Sequence, residues 1–225
     1  MSWPRISFPL GKPAGSVPLG KPAGFLFLAL ALLPTGCGEH EPAMRAVLPP
    51  CPERMAQIGE FCIDRYESRI EEDVAVPARD AMPAVGVSFN AADRACRAAG
   101  FRLCNGEEWT RACRGPDAHP VPYGPRWVAH TCNSVQPDDD MNLFPVRNGG
   151  SFPGCVSQEG VFDLVGNVWE WTNEPNPAGN LREVRGGGSH NAEPQSSCTI
   201  NDRVFMDFDA DEGLVGFRCC SPVRS

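Results

Sequence analysis

The sequence predicts a small α+β domain, loop-rich and disulfide-braced, and three observations carry that expectation. Gly and Pro number 23 each among 225 residues, which favours short elements joined by many turns and excludes a long coiled coil. Two short stretches, 90–100 and 105–116, carry helix start and stop signals, while the remaining apolar pieces are short enough for strands. Ten cysteines lie beyond position 50, a density typical of exported domains held by cross-links. With 42% apolar and 21% charged residues, the chain has material for one proper core, so wholesale disorder is excluded.

In chain order, the apolar opening Met55-Ala-Gln-Ile58 precedes Phe61-Cys-Ile-Asp-Arg-Tyr66, whose alternation suits a strand. Residues 68–82 are charged and read as loop. Asn90-Ala-Ala-Asp93 resembles a capping box, and Ala92, Cys96 and Ala99 recur at helical spacing before Gly100 stops the turn. A second start follows at Asn105-Gly-Glu-Glu108, with Trp109, Ala112 and Cys113 on one face and Gly115-Pro116 as the stop. Residues 117–160 are rich in Gly, Pro, Asn and Asp. A loop of that length needs ions or disulfides to organise it, and Cys132 and Cys155 are placed to do so. The pieces 161–171, 184–189 and 214–220 read as strands and turns.

The N-terminal segment reads as an address. Arg5, Lys12 and Lys21 precede a nine-residue apolar run, 25–33, which ends at Pro34-Thr-Gly-Cys37. That order resembles a lipoprotein-type signal peptide over 1–36, with Cys37 as the lipidated residue and 37–50 as a tether. The run is far short of the roughly 20 residues that span a bilayer. The heptapeptide Pro9-Leu-Gly-Lys-Pro-Ala-Gly15 recurs at 18–24 as low-complexity leader. Every acidic residue lies at Glu39 or later, so the body carries 17 basic against 28 acidic residues, a net of −11. Such a body repels phosphate backbones, which excludes nucleic acid as a partner. If Cys37 carries lipid, ten cysteines remain, enough for five disulfides of undetermined pairing. No C-x2-C pair exists to hold zinc.

Five motifs, in order, carry a family resemblance: Pro83-Ala-Val-Gly-Val-Ser-Phe89, Gly100-Phe-Arg-Leu103 leading into Glu107-Glu-Trp109, Gly166-Asn-Val-Trp-Glu-Trp171, Arg185-Gly-Gly-Gly-Ser189 and Gly216-Phe-Arg218. They resemble the formylglycine-generating enzyme, or sulfatase-modifying factor, family over 51–221, leaving 222–225 as a tail. The resemblance implies a C-type-lectin-like fold. Trp109, Trp169, Trp171, Phe217 and Leu103 are read as core, and Arg102 and Arg218 as buried and paired with a carboxylate such as Glu108.

For the site, the resemblance implies two copper-holding cysteines three and eight residues beyond the motif serine. Here those positions are Ala192 and Ser197, and the nearest thiol, Cys198, is the only catalytic candidate. His40, His119, His130 and His190 are scattered, unlike the histidine cluster of the family's non-haem iron branch. For calcium, the resemblance implies Asp163, the carbonyls of Gly166 and Val168, and Glu170, with a second site at Asn133, Ser134 and either Asp138 or Asp139. The alternatives are a solvated acidic run at 138–140 and a structural Glu170 paired with an arginine. The functional expectation is therefore an exported, lipid-anchored domain at the cell envelope that binds calcium. It works without catalysis on an envelope protein or carbohydrate ligand, the alternative being an oxygen-dependent cysteine oxidase that makes formylglycine in an exported sulfatase.

Overall fold

A computed structural model describes residues 49–135, 145–192, 196–199, 204–210 and 213–224. Cys37, Asp138 and Asp139 lie outside them. The fold is α+β, with ten short strands and two helices among the described residues. β1 (Met55–Ile58) and β2 (Phe61–Asp64) form the expected hairpin, and β5 (Arg102–Leu103) and β10 (Cys219–Pro222) complete a sheet ordered β1-β2-β10-β5. β10 pairs antiparallel with both β2 and β5, so the end of the domain is locked beside its beginning. A second sheet is ordered β8-β7-β6-β9, from β6 (Trp169–Pro175), β7 (Leu181–Arg185), β8 (Val204–Asp207) and β9 (Val215–Phe217). Within it β6 and β9 run parallel.

The loop expected over 68–82 is corrected. It holds a hairpin, β3 (Ser68–Glu71) and β4 (Val74–Pro77), whose two-residue turn places Glu72 and Asp73 at φ +48° and +65°. Both values belong to the tight hairpin turn that Asn-Gly usually fills, so the turn signal was hidden behind two carboxylates. Helix α1 (Phe89–Ala98) starts at Ser88 rather than Asn90: the Ser88 hydroxyl accepts from the Ala91 amide, and Asn90 reaches out to Asp209. Helix α2 (Gly106–Arg114) begins with the predicted capping box, Asn105 Oδ1 accepting from the Glu108 amide and Glu108 accepting from the Asn105 amide.

All ten described cysteines are paired: Cys51–Cys62, Cys96–Cys219, Cys104–Cys220, Cys113–Cys198 and Cys132–Cys155. The adjacent Cys219 and Cys220 project from opposite faces of β10 because strand side chains alternate. Cys219 therefore reaches α1 in a core built on Phe89, Trp171 and Phe217, while Cys220 joins a second core around Trp109, Ile63 and Leu164. Trp109, Trp171, Phe217 and Leu103 are buried as expected, whereas Trp169 is only half-buried. Arg102 pairs with Glu108 at 2.6 and 2.7 Å.

The Cys96–Cys219 bridge closes a loop of 123 residues. Replacing both cysteines with serine is expected to lower stability by about 2–5 kcal/mol, measured as the shift of the urea unfolding curve.

Candidate functional site

Two regions carry the residues that the sequence singled out, the buried turn that leads into β6 and the glycine-rich loop that follows β7. In the first, Asp163, Gly166 and Asn167 all have positive φ, +57°, +79° and +57°. Gly166 needs its missing side chain, since a Cβ there would stand 2.4 Å from the Asn133 carbonyl oxygen. The same carbonyl accepts from the Asn167 amide at 2.8 Å, and Asn133 Nδ2 donates to Asn167 Oδ1 at 2.8 Å. Asn133 and its neighbour Ser134 are thus brought against the Asp163–Glu170 turn.

Glu170, expected either as a calcium ligand or as a structural carboxylate paired with an arginine, is paired with Arg218. Arg218 donates Nε to Oε2 and Nη2 to Oε1, each at 2.6 Å, and the Trp109 indole donates to Oε2 at 2.8 Å. Arg218 also donates to the Asp64 and Phe162 carbonyls at 3.0 and 2.9 Å. A planar fork against a carboxylate, with both partners buried, together with the indole takes up three of the roughly four acceptor positions of Glu170. Among the described residues no three His, Cys, Asp or Glu side chains converge on one metal position.

Sequence reasoning missed Glu67. It is fully buried and accepts from Asn167 Nδ2 at 2.6 Å and from the Val168 amide at 3.3 Å. Burial, then repulsion from Asp163 and Glu170, holds its carboxyl well above the usual range. Asp163 accepts from the Gly150 amide at 2.7 Å, yet burial pushes it up to about 6. Three buried carboxylates thus lie in the field of one guanidinium, which is bonded to Glu170. That surplus negative charge is relieved by protons or by a cation, so the cluster suits a cation in charge although Glu170 is committed elsewhere. No sequence signal marked Glu67, because its partners Asn167 and Val168 lie about a hundred residues away in the chain.

In the second region, Gly186 and Gly187 take φ of +93° and +76°, and a Cβ on Gly186 would meet the Leu164 carbonyl oxygen at 2.8 Å. Ser189 is buried beside His190 Nδ1 at 3.2 Å, and its amide donates to the Asn167 carbonyl at 2.9 Å. The copper positions hold a methyl group, Ala192, and a hydroxyl, Ser197, whose oxygen lies 2.9 Å from Thr199 Oγ1. Cys198 is fully buried, bonded to Cys113 of α2, and its amide donates to the Pro120 carbonyl at 2.8 Å. Cys198, the only catalytic candidate of the sequence, is therefore a disulfide partner that anchors the loop to a helix. A soft two-thiol copper site does not fit a donor set of methyl, hydroxyl and disulfide.

The profile of the sulfatase-modifying factor enzyme 1-like domain matches residues 49–223. The inactive C-alpha-formylglycine-generating enzyme 2 of Mus musculus is 32% identical over 160 residues, covering 62% of this chain and 49% of its own. The formylglycine-generating enzyme of Thermomonospora curvata is 30% identical over 214 residues, 80% of this chain and 67% of its own. The chain spans about half the length of the mammalian relatives it matches. Among solved structures, PvdO from Pseudomonas aeruginosa shares the fold with a TM-score of 0.55 at 19% identity, over 73% of this chain and 80% of that one.

The buried carboxylates give a signed pH dependence. Asp163 keeps its proton to about 6 when folded but loses it near the ordinary 3.8 when unfolded. Between those values the folded state binds more protons, so stability falls as pH rises through the window. In chelator-treated buffer the melting temperature is expected to be higher at pH 5 than at pH 7.5, and Asp163→Asn should flatten the slope.

Proposed function

The chain belongs to the sulfatase-modifying factor family, and we propose that it is an exported, lipid-anchored member that has given up oxidation and serves as a binding or accessory module at the cell envelope. The observation that carries the non-catalytic part is the chemistry of the loop after Gly188. Ala192 and Ser197 stand where the oxidases place copper thiolates, and Cys198 is spent on the bridge to Cys113. Two mammalian relatives described as inactive, 32% and 31% identical, fit this reading. Export is supported by a basic leader, an apolar run and Cys37, together with ten cysteines that all find partners in the fold. Calcium belongs to the proposal at Asp163 with the carbonyls of Gly166 and Val168, supported by the surplus negative charge of Glu67, Asp163 and Glu170 against Arg218. The partner would be an envelope protein or a carbohydrate, held by the surface of the domain.

Three tests follow the three parts. A sulfatase-type peptide supplied with copper and oxygen should gain no formylglycine by mass spectrometry, and turnover by the wild-type protein would restore the oxidase reading. Labelled palmitate should enter the wild type and be lost with membrane attachment in Cys37→Ala, whereas an anchored mutant would refute lipidation at that residue. Millimolar Ca²⁺ should raise the melting temperature and Mg²⁺ should raise it less, the shift being lost in Asp163→Asn. An unchanged melting curve would leave the acidic cluster a proton-balanced structural element.

A further inference from the structure

The geometry points to a binding pocket for an acidic saccharide beside the β3–β4 hairpin, lined by Glu53, Arg54, Arg65, Tyr66, Pro77 and Arg79. The pocket measures about 410 Å³, within the ~300–1,000 Å³ range of small-molecule sites. On a body whose acidic residues outnumber its basic ones by 11, three of 17 arginines gather here. Their roles differ. Arg54 is a neutralised wall, donating to both Asp64 oxygens at 2.6 and 2.5 Å and to the Ala75 carbonyl at 2.9 Å. Half-buried Arg65 is held by carbonyls, Gly160 at 3.1 Å and Glu159 at 3.5 Å, so its charge is oriented without being cancelled there. Arg79 is fixed through its backbone, which bridges to Gly149, while its side chain is 72% exposed. Its neighbour Asp80 lies 3.5 Å away but is 85% exposed, so that pairing is weak in water.

Between these arginines stands Tyr66. Its ring stacks on Phe162 with centroids 4.9 Å apart and planes 10° apart. Its edge is fixed by Gly150, where an added Cβ would lie 2.9 Å from Cε1. The Arg79 guanidinium sits 6.0 Å from the Tyr66 centroid. With Phe162 stacked on it and Arg79 over the ring, the phenol offers its edge and polar tip, while the Pro77 ring offers apolar surface to the C–H face of a sugar. Two guanidinium groups offer paired N–H donors to an oxyanion. A neutral sugar lacks the anion and an inorganic ion lacks the ring, so the pocket asks for both on one small body, the charge being a carboxylate or a sulfate ester.

This inference deepens the binding-module reading and rests on it, but its test is separate, because saccharide binding is measured without reference to formylglycine formation. The oxidised, full-length protein is titrated at low salt with glucuronate, glucose 6-sulfate, glucose and sodium sulfate by calorimetry. Glucuronate or glucose 6-sulfate should bind at least about tenfold more tightly than glucose or inorganic sulfate, and whichever is tighter identifies the anion. Arg79→Gln should weaken binding at least about tenfold, with an unchanged melting curve because the side chain is exposed. Arg65→Gln provides a second variant, and Arg97→Gln on α1 should leave affinity unaltered. The proposal is overturned if neither acidic sugar binds at about 10 mM, if glucose or inorganic sulfate binds equally well, or if Arg79→Gln leaves affinity unchanged.

Discussion

The Arg218–Glu170 pair is the interaction on which the rest of the domain depends. Arg218 stands between β9 and β10, one strand in each sheet, and its guanidinium holds Glu170 of β6, the carbonyl of Asp64 at the end of β2 and the carbonyl of Phe162 in the loop before the acidic turn. Trp109 of α2 completes the set through its indole N–H. One side chain therefore fastens both sheets and a helix to one another. Removing either charged partner would leave the other buried alone, a loss of about 3–5 kcal/mol in comparable cases.

That pairing shapes the chemistry around it. Because Glu170 is committed to Arg218, the negative charge left over resides on Glu67 and Asp163, which burial already drives toward protonation. The acidic turn carries that charge on a backbone that Gly166 and Asn167 turn in left-handed conformations. The glycine-rich loop is tied to the same turn through the Ser189 amide and the Asn167 carbonyl. At its far end it is fixed by the Cys113–Cys198 bridge. The one cysteine of that loop, Cys198, is spent in the bridge.

Local features were the legible ones. The capping box at Asn105 and the stop at Gly115 depend on residues within one turn of each other, and the structure reproduces both. The start of α1 moved to Ser88, two residues before the expected Asn90, because the Ser88 hydroxyl meets the Ala91 amide while Asn90 reaches out to Asp209. The β3–β4 hairpin was hidden by a Glu-Asp turn, and β8 by a strand whose residues are exposed or only half-buried. Arg102 with Glu108 was readable as a near neighbour in sequence. That Arg218 meets a carboxylate and that Glu170 could meet an arginine were both legible, but not that they meet each other, since they lie 48 residues apart and are brought together through the parallel pairing of β6 and β9. Cysteine pairing was equally unreadable, because the opposite faces of β10 decide where Cys219 and Cys220 go.

The non-catalytic reading stands most directly on the state of Cys198. Non-reducing peptide mapping of the native protein, alkylated before digestion, should recover Cys113 and Cys198 in one cross-linked fragment with no alkylated Cys198. A Cys198 that takes the alkylating label, or that is linked to any partner other than Cys113, would contradict the account and return a reactive thiol to the loop.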